Sequence, residues 1–343
     1  MTCTFVDSCP YTGYNIIHQN LQENYTYKHQ YNVEGVDEKK VNTMNNESIQ
    51  KIKWSYFSKL ETQDELEAYM AKRVSGHSHF FHYTNLKAID KILEKPSFRI
   101  SQVKRFNDKK DVEQFGTEEE QKRFFSMCFS SGVNENLSLW YLYSGMDGKG
   151  GCLRFTQNKL KSMIDKGTFS IVEYDYKKNE EVGMSTLLKK DVDMNIEFKD
   201  VLYARIDKSG KNVSLKYNTM TNYNNLSVEE YQKYVRNNKG FQKKLIWYYE
   251  KETRLLIEIK GELVQKLDAK KDYVIMWEFD RKLLKGMQIK LAPENENEDV
   301  VNEYKNIKRF MLESSGISLS ENAGDIKMNL CDKCDKNKKK INH

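Results

Sequence analysis

Apolar positions along the chain switch repeatedly between helical spacing and the alternation of strands. Tyr56, Phe57, Leu60 and Leu66 recur near helical spacing, and Thr62 with Glu65 predicts a capping box for a helix running to Arg73. Phe80 to Tyr83 reads as a short strand, Thr84 or Asn85 as an N-cap, and Leu86, Ile89, Ile92 and Leu93 as the inner stripe of a helix. Pro96 stops that helix, and Phe98 and Ile100 begin a second strand. The pattern then predicts a helix over 118–126, a strand at Met127 to Ser130, a helical segment from Leu137 to Tyr143 and a strand at Cys152 to Phe155. A helix from Lys159 to Lys166 and a strand from Phe169 to Tyr176 follow. Between Lys177 and Asp200 the pattern weakens. Val201 to Ile206 reads as a strand, Asn218 to Asn225 as a loop, and Ser227 to Val235 as a helix with Glu229 and Glu230 in its first turn. Strands at Val274 to Phe279 and Met287 to Leu291 precede an amphipathic helix over 298–313, and the remainder reads as a tail.

No repeat of fixed period is present, and short strands separated by irregular loops and helices do not follow βαβ winding. The expected class is α+β, with one mixed or antiparallel split-sheet core and surrounding helices. The expected division is an N-terminal arm and helical extension at 1–74, a catalytic-size domain at 75–292, and a C-terminal helix with a basic tail at 293–343.

Composition narrows the function classes only slightly. Of 343 residues, 38% are hydrophobic and 31% charged, which marks a polar chain in which the aromatic 12% fills much of the core. The formal charge of +6 arises from 56 basic and 50 acidic residues spread along the whole length, a weak signal for a nucleotide or nucleic-acid partner. No run of about eighteen apolar residues occurs, and the N-terminal sequence lacks the basic start and apolar run of a signal peptide. Six cysteines are too few for a secreted disulfide scaffold, so a reducing, cytoplasmic location is expected.

Several chemistries find little support. Cys331 and Cys334 have zinc spacing but make half a site, with Cys3 and Cys9 as the candidate partners, and His77, His79 and His82 do not match HExxH, so no metal is expected. The glycines from Gly145 to Gly151 form a loop without the GxxxxGKS/T order that cradles phosphates. No GxSxG elbow is present, and Cys128 between apolar neighbours reads as a small buried hydrophobe.

The densest chemistry lies in Leu245 to Lys260, LIWYYEKETRLLIEIK. In an extended backbone, Glu250, Glu252 and Arg254 project from one face while Thr253, Leu255, Ile257 and Ile259 project from the other. Paired carboxylates at the mouth of an apolar strand are costly unless solvated, mutually paired or used. An edge strand with a solvated charged face is the plain alternative. With His82, Tyr83 and Thr84 at one strand end and the aromatic, glycine-rich segment over 140–151, the set suits one reaction. Tyrosines would hold a cationic aromatic leaving group, a histidine the adjoining sugar, and a carboxylate would stabilise an oxocarbenium-like centre. Nicotinamide joined to ribose meets those demands.

HYTNLKAIDKIL resembles the first motif of ADP-ribosyltransferases, LWYLYSGMDGKGGCLRF their second, and YEKETRLLIEI the strand that carries their catalytic glutamate. Over residues 79–292 the chain also resembles a bacterial family, domain of unknown function 2971. The shared features are Phe-Asn-Asp at 106–108, Cys-Phe-Ser at 128–130, Leu-Trp at 139–140, Gly-Gly at 150–151 and Trp-x-Tyr-Glu-x-Glu-x-Arg at 247–254. The resemblance implies an ADP-ribosyltransferase-like sheet and NAD as substrate. His82 would bind a ribose hydroxyl, Tyr83 would belong to the same pocket, and Thr84 would orient the amide or support His82. Tyr143 would stack on the ring, with Trp140 shaping the pocket. Glu252 is the first choice for the catalytic carboxylate because it lies nearer the apolar strand, Glu250 is the second, and Arg254 would hold a diphosphate or pair with a glutamate. Asn107 and Asp108 read as turn formers.

The function expected is an effector that cleaves NAD and transfers ADP-ribose to a macromolecule, as a toxin or in antiphage defence. A nucleic-acid-binding or nucleic-acid-cleaving effector and a non-enzymatic adaptor on the same fold are the alternatives, and the terminal extensions are where a partner or regulator would act.

Overall fold

The computed structural model describes residues 60–132, 136–144, 150–217, 220–223, 226–292 and 316–320. The N-terminal arm, the start of the first predicted helix, Gly145 to Lys149, the helix expected over 298–313 and the Cys331/Cys334 tail lie outside the described residues.

In chain order, helix α1 (Gln63–Ser75) precedes strand β1 (His79–Asn85), helix α2 (Leu86–Glu94) and β2 (Ser97–Gln102). Helix α3 (Lys109–Glu113), β3 (Phe124–Ser131), β4 (Gly150–Thr156) and α4 (Gln157–Lys166) follow. Then come β5 (Thr168–Asp175), β6 (Glu180–Leu188), β7 (Met194–Asp200), β8 (Leu202–Ile206), β9 (Val213–Tyr217) and β10 (Met220–Tyr223). The chain continues through α5 (Val228–Asn237), β11 (Gln242–Lys244), β12 (Glu252–Ile259), β13 (Tyr273–Glu278), β14 (Gln288–Leu291) and β15 (Ser318–Ser320).

Local chemistry explains the starts. Thr62 accepts from the Glu65 amide at 3.3 Å while the Glu65 carboxylate accepts from the Thr62 amide at 3.2 Å, closing the predicted capping box. Asn85, of the two cap candidates, accepts from the Ala88 amide at 2.9 Å and opens α2. The helix expected over 118–126 covers only Glu118–Gln121, because the apolar run from Phe124 pairs as a strand instead.

Eleven strands form one sheet in the order β15-β14-β4-β1-β3-β2-β13-β5-β6, antiparallel except for the β14–β15 pair. The sheet divides at β3. One edge of β3 is shared, with Ser131 and Ser130 paired to Phe80 and Phe81 of β1, and Ser126 and Phe125 paired to Ser101 and Gln102 of β2. The other edge carries β12 from Glu252 to Glu258, with β7 beyond it. The α+β class with a large antiparallel sheet is therefore as expected.

One face of this sheet holds the main core, where Leu86, Ile89 and Ile92 of α2 and Leu160 and Met163 of α4 pack on Phe80, Phe98, Phe129, Leu255 and Ile257. The segment from 201 to 250, between β7 and β12, builds a second sheet in the order β10-β9-β8-β11. Its own core joins Leu202, Ala204 and Leu215 to Leu66, Tyr69 and Met70 of α1 and to Tyr231 and Tyr234 of α5.

Gly240, on the approach to β11, has φ +81°, and a Cβ there would come 2.4 Å from Phe115. Both the left-handed backbone and the close approach require glycine. Gly240→Ala is expected to cost about 2 kcal/mol or more, read as a shift of the denaturant midpoint at unchanged slope. No change in midpoint would refute this account of the turn.

Candidate functional site

The seam between the two sheets is closed by a cluster of buried charge. From the main sheet come Glu252 and Arg254 of β12 and Asp111 of α3, and from the second sheet come Lys243 of β11 and Glu250 at the end of a 3-10 turn, Leu245–Glu250. All five side chains are buried.

The stretch leading into Glu252 is not extended as the alternation predicts. Leu245–Glu250 coils, Lys251 takes the left-handed conformation at φ 45°, and the strand starts only at Glu252. Three consecutive aromatic residues pack better around a tight turn against β8 and the 136–144 segment than along a flat strand: Tyr203 meets Tyr248 edge-on at 6.4 Å, and Trp247 tilts on Tyr249 at 6.0 Å. Glu250 and Glu252 still converge, but from opposite sides of the seam.

Arg254 is the hub. Nε donates to Glu252 Oε1 at 2.5 Å and Nη2 to Glu252 Oε2 at 3.1 Å, while Nη1 and Nη2 grip Asp111 at 3.0 and 2.5 Å. Nη1 also donates to the Gly240 carbonyl at 2.6 Å, and the guanidinium lies 5.0 Å from the centre of the Phe106 ring. Such fork-on-carboxylate geometry favours arginine over lysine. Lys243 Nζ reaches Glu250 at 2.6 Å, Glu252 at 2.9 Å and Asp111 at 3.6 Å, and sits 5.5 Å over Trp247.

The two glutamates differ sharply. Burial alone would raise Glu252, yet Arg254 and Lys243 hold its carboxyl far below the usual range. Burial dominates at Glu250 and, with the charge of Glu252, raises its carboxyl despite Lys243. Glu250 also bonds a part-exposed side chain: Oε1 accepts from the Tyr143 hydroxyl at 2.9 Å, and Tyr143 is 41% exposed. Burial and then Glu250 push the Tyr143 phenol up. Glu252 is thus locked into an ion pair with Arg254, whereas Glu250, equally buried, pairs with Lys243 and Tyr143.

Tyr143 stands on a π-helical turn, Trp140–Ser144, that follows Leu137–Leu139 in place of the single helix expected. That irregular winding is frequent where a side chain is re-aimed. The turn is fastened on both sides: Tyr83 accepts from the Asn136 amide at 2.6 Å and meets Trp140 edge-on at 5.0 Å, while the Asn136 side chain donates to the Tyr249 carbonyl. Trp140 is buried and serves packing rather than the pocket wall.

His82 does not join this site. Phe81 of β1 pairs with Ser130 of β3, which pairs with Glu252, so Phe81, Tyr83, Glu252 and Arg254 share one face of the sheet. His82 and Thr84 alternate onto the other face. There the His82 ring lies 5.7 Å from Phe129 and 6.2 Å from Phe98 of the main core, with Nδ1 3.0 Å from the Cys128 carbonyl. Burial pushes its pKa down. The expected pocket in which His82 holds a sugar beside Glu250 and Glu252 is therefore corrected: period-two alternation puts the imidazole behind the sheet, and Thr84 with it.

Two residues of the cluster escaped the sequence reading. Asp111 arrives because Asp108 caps α3, accepting from the Lys110 amide at 2.9 Å, so the turn role read for Asp108 holds while the same turn delivers Asp111. Lys243 carried no motif. Cys128, beneath the cluster, is raised by burial and then by Glu252. Among the described residues no group of His, Cys, Asp and Glu is arranged to hold a metal ion, and the candidate cysteine pairs lie outside them. Two clefts of about 490 and 510 Å³ lie elsewhere, beside Tyr174 and Tyr176 and between α1 and α4, and neither contains a residue of the cluster. Among the described residues no helix is long and apolar enough to cross a membrane.

Residues 139–255 match a protein family of unknown function, DUF2971. The match covers about a third of the chain. The DUF2971 segment starts one residue before Trp140 and ends one residue after Arg254, so it holds Tyr143, Lys243, Glu250, Glu252 and Arg254 and leaves out Asp111 and His82. No curated protein and no solved structure matches the chain.

Proposed function

We propose that this protein is a glycosyl-transferring enzyme that works through Glu250, with NAD as donor and a macromolecule as acceptor. The observation that carries the reading is the position of Glu250, a carboxyl raised by burial within the ionic cluster and hydrogen-bonded to the part-exposed Tyr143. Cleavage of the bond between nicotinamide and ribose develops positive charge on the sugar carbon, and the ionised form of Glu250, in a poorly solvated site, would stabilise such charge strongly. The exposed face of Tyr143, with Trp247 near Lys243, offers aromatic surface for the departing ring. NAD is nominated by the resemblance of two segments, LWYLYSGMDGKGGCLRF and YEKETRLLIEI, to ADP-ribosyltransferases. His82 and Thr84 have no part in the reading. Action as a toxin-like effector, antiphage defence included, would follow from the choice of acceptor.

The test is incubation of the full chain with NAD labelled separately in its nicotinamide and adenylate halves, in the presence of cell extract. Free nicotinamide and adenylate label in the macromolecular fraction are expected. Intact NAD, with no label transferred, would sink the proposal.

A second reading has its own observation. Asp111, Lys243, Glu252 and Arg254 satisfy one another across the seam, as a purely structural ion network would. On that reading the protein is a non-enzymatic adaptor, and calorimetry with NAD would record no heat of binding.

A further inference from the structure

The cluster contains three carboxylates, Asp111, Glu250 and Glu252, against two cations, Lys243 and Arg254. In a site this dry, one uncompensated negative charge is costly, and the cheapest remedy is to retain a proton. The hydrogen bonds decide where it resides. Both oxygens of Asp111 and both of Glu252 accept from the Arg254 guanidinium, which can only donate. Gln114 Nε2 adds a further donor to Asp111 Oδ1 at 2.9 Å. Glu250 differs: Lys243 occupies Oε2, but its partner at Oε1 is the Tyr143 hydroxyl, which can accept as well as donate.

We propose that Asp111 is a positioning residue: by holding Arg254 as an obligate donor to Glu252, and by adding the third negative charge, it makes Glu250 the keeper of the cluster's single proton. This rests on the reading that Glu250 is the working carboxyl, and it supplies a physical reason for the raised carboxyl there. The groups facing Glu250 are Lys243 from β11, Glu252 and Arg254 from β12, Tyr143 from the π-helical turn and Tyr203 from β8, with Cys128 of β3 below. Asp111 touches none of the reacting positions. It acts through Arg254, and through Lys243 at 3.6 Å.

The test follows glutamate side-chain carboxyl carbons of the carbon-13-labelled full chain by NMR titration, with the Glu250 signal assigned by its loss in Glu250→Gln. The wild-type midpoint is expected above the ordinary glutamate value of 4.5. Asp111→Asn, which balances two carboxylates against two cations, should lower it by about one unit or more. Asp111→Glu should keep it raised, whereas a role in shape alone would lower it in both variants. Lys243→Met should move it further up. A wild-type midpoint at or below 4.5, or one unchanged or raised in Asp111→Asn, overturns the proposal. Should Asp111→Asn fail to fold, Lys243→Met decides, since a midpoint that does not rise there is equally fatal. The titration reads a proton whether or not NAD is turned over, so its failure is distinct from failure of the proposed activity.

Discussion

Replacing Arg254 by leucine is expected to lower the free energy of unfolding by roughly 3–5 kcal/mol, the range for removing one partner of a buried ion network. Leucine matches much of the volume but leaves Asp111, Glu250 and Glu252 facing Lys243 alone, and it strips the Gly240 carbonyl of its donor. The sign of the pH dependence follows from Glu252. Its folded-state carboxyl is held below the ordinary 4.5, so its contribution is present above that value and is lost as pH falls through the depressed one. The variant forfeits that contribution, so its deficit against wild type should be largest near neutrality and shrink in acid. Denaturant unfolding at several pH values measures this, and a loss under about 1 kcal/mol at neutral pH would mean the network is solvated.

Glu250→Gln is expected to abolish most nicotinamide release, by roughly 10²–10³-fold, the usual worth of one group that stabilises developing charge. The fold should survive, because glutamine still accepts from Tyr143 and the cluster is left balanced at two carboxylates and two cations. The raised carboxyl at Glu250 means that wild type loses stability as pH climbs from 4.5 through the folded-state value, and the variant should lack that component. Glu252→Gln makes the contrast. It leaves Arg254 short of a charged partner at a fully buried position, so its activity should fall together with its stability. Equal catalytic loss in both, with both equally well folded, would reject the separate roles assigned to the two glutamates.

The sequence made much of this fold legible where local chemistry acts alone. The Thr62 capping box, the strand, cap and helix from Phe80 to Leu93, and the alternation from Leu255 to Ile259 all emerge as read. What escaped were elements whose partners lie far along the chain. Strand β6 keeps Glu180, Glu181 and Leu187 toward solvent at the end of the sheet, so it shows little of the apolar alternation that marks a half-buried strand. Met220–Tyr223 pairs with β9 inside a stretch whose asparagines suggest only a loop, and Ser318–Ser320, read as tail, pairs with β14.

The site was legible in part for the same reason. Glu250, Glu252, Arg254 and Tyr143 stand out in composition and spacing and do come together. His82 stood out equally, yet which face of a strand it occupies is fixed by register with β3, and a one-residue difference from Tyr83 is enough to place it elsewhere. Asp111 and Lys243 look like ordinary surface charges in sequence, and only the crossing of two sheets buries them.

The branching of the sheet at β3 also bears on how the molecule is made. Its β1 and β2 flanks are close in sequence, so they can form early in synthesis, but the β12 flank arrives only after the whole second sheet has left the ribosome. From Ser131 until Glu258 emerges, the nascent chain exposes one full side of its most connected strand, with the apolar side chains of Phe125, Met127 and Phe129 beside unpaired backbone. The arrival of β12 covers that hazard and, in the same step, brings Glu252 and Arg254 to Asp111, so that the ionic cluster comes into being only in a chain whose β3 is paired on both edges.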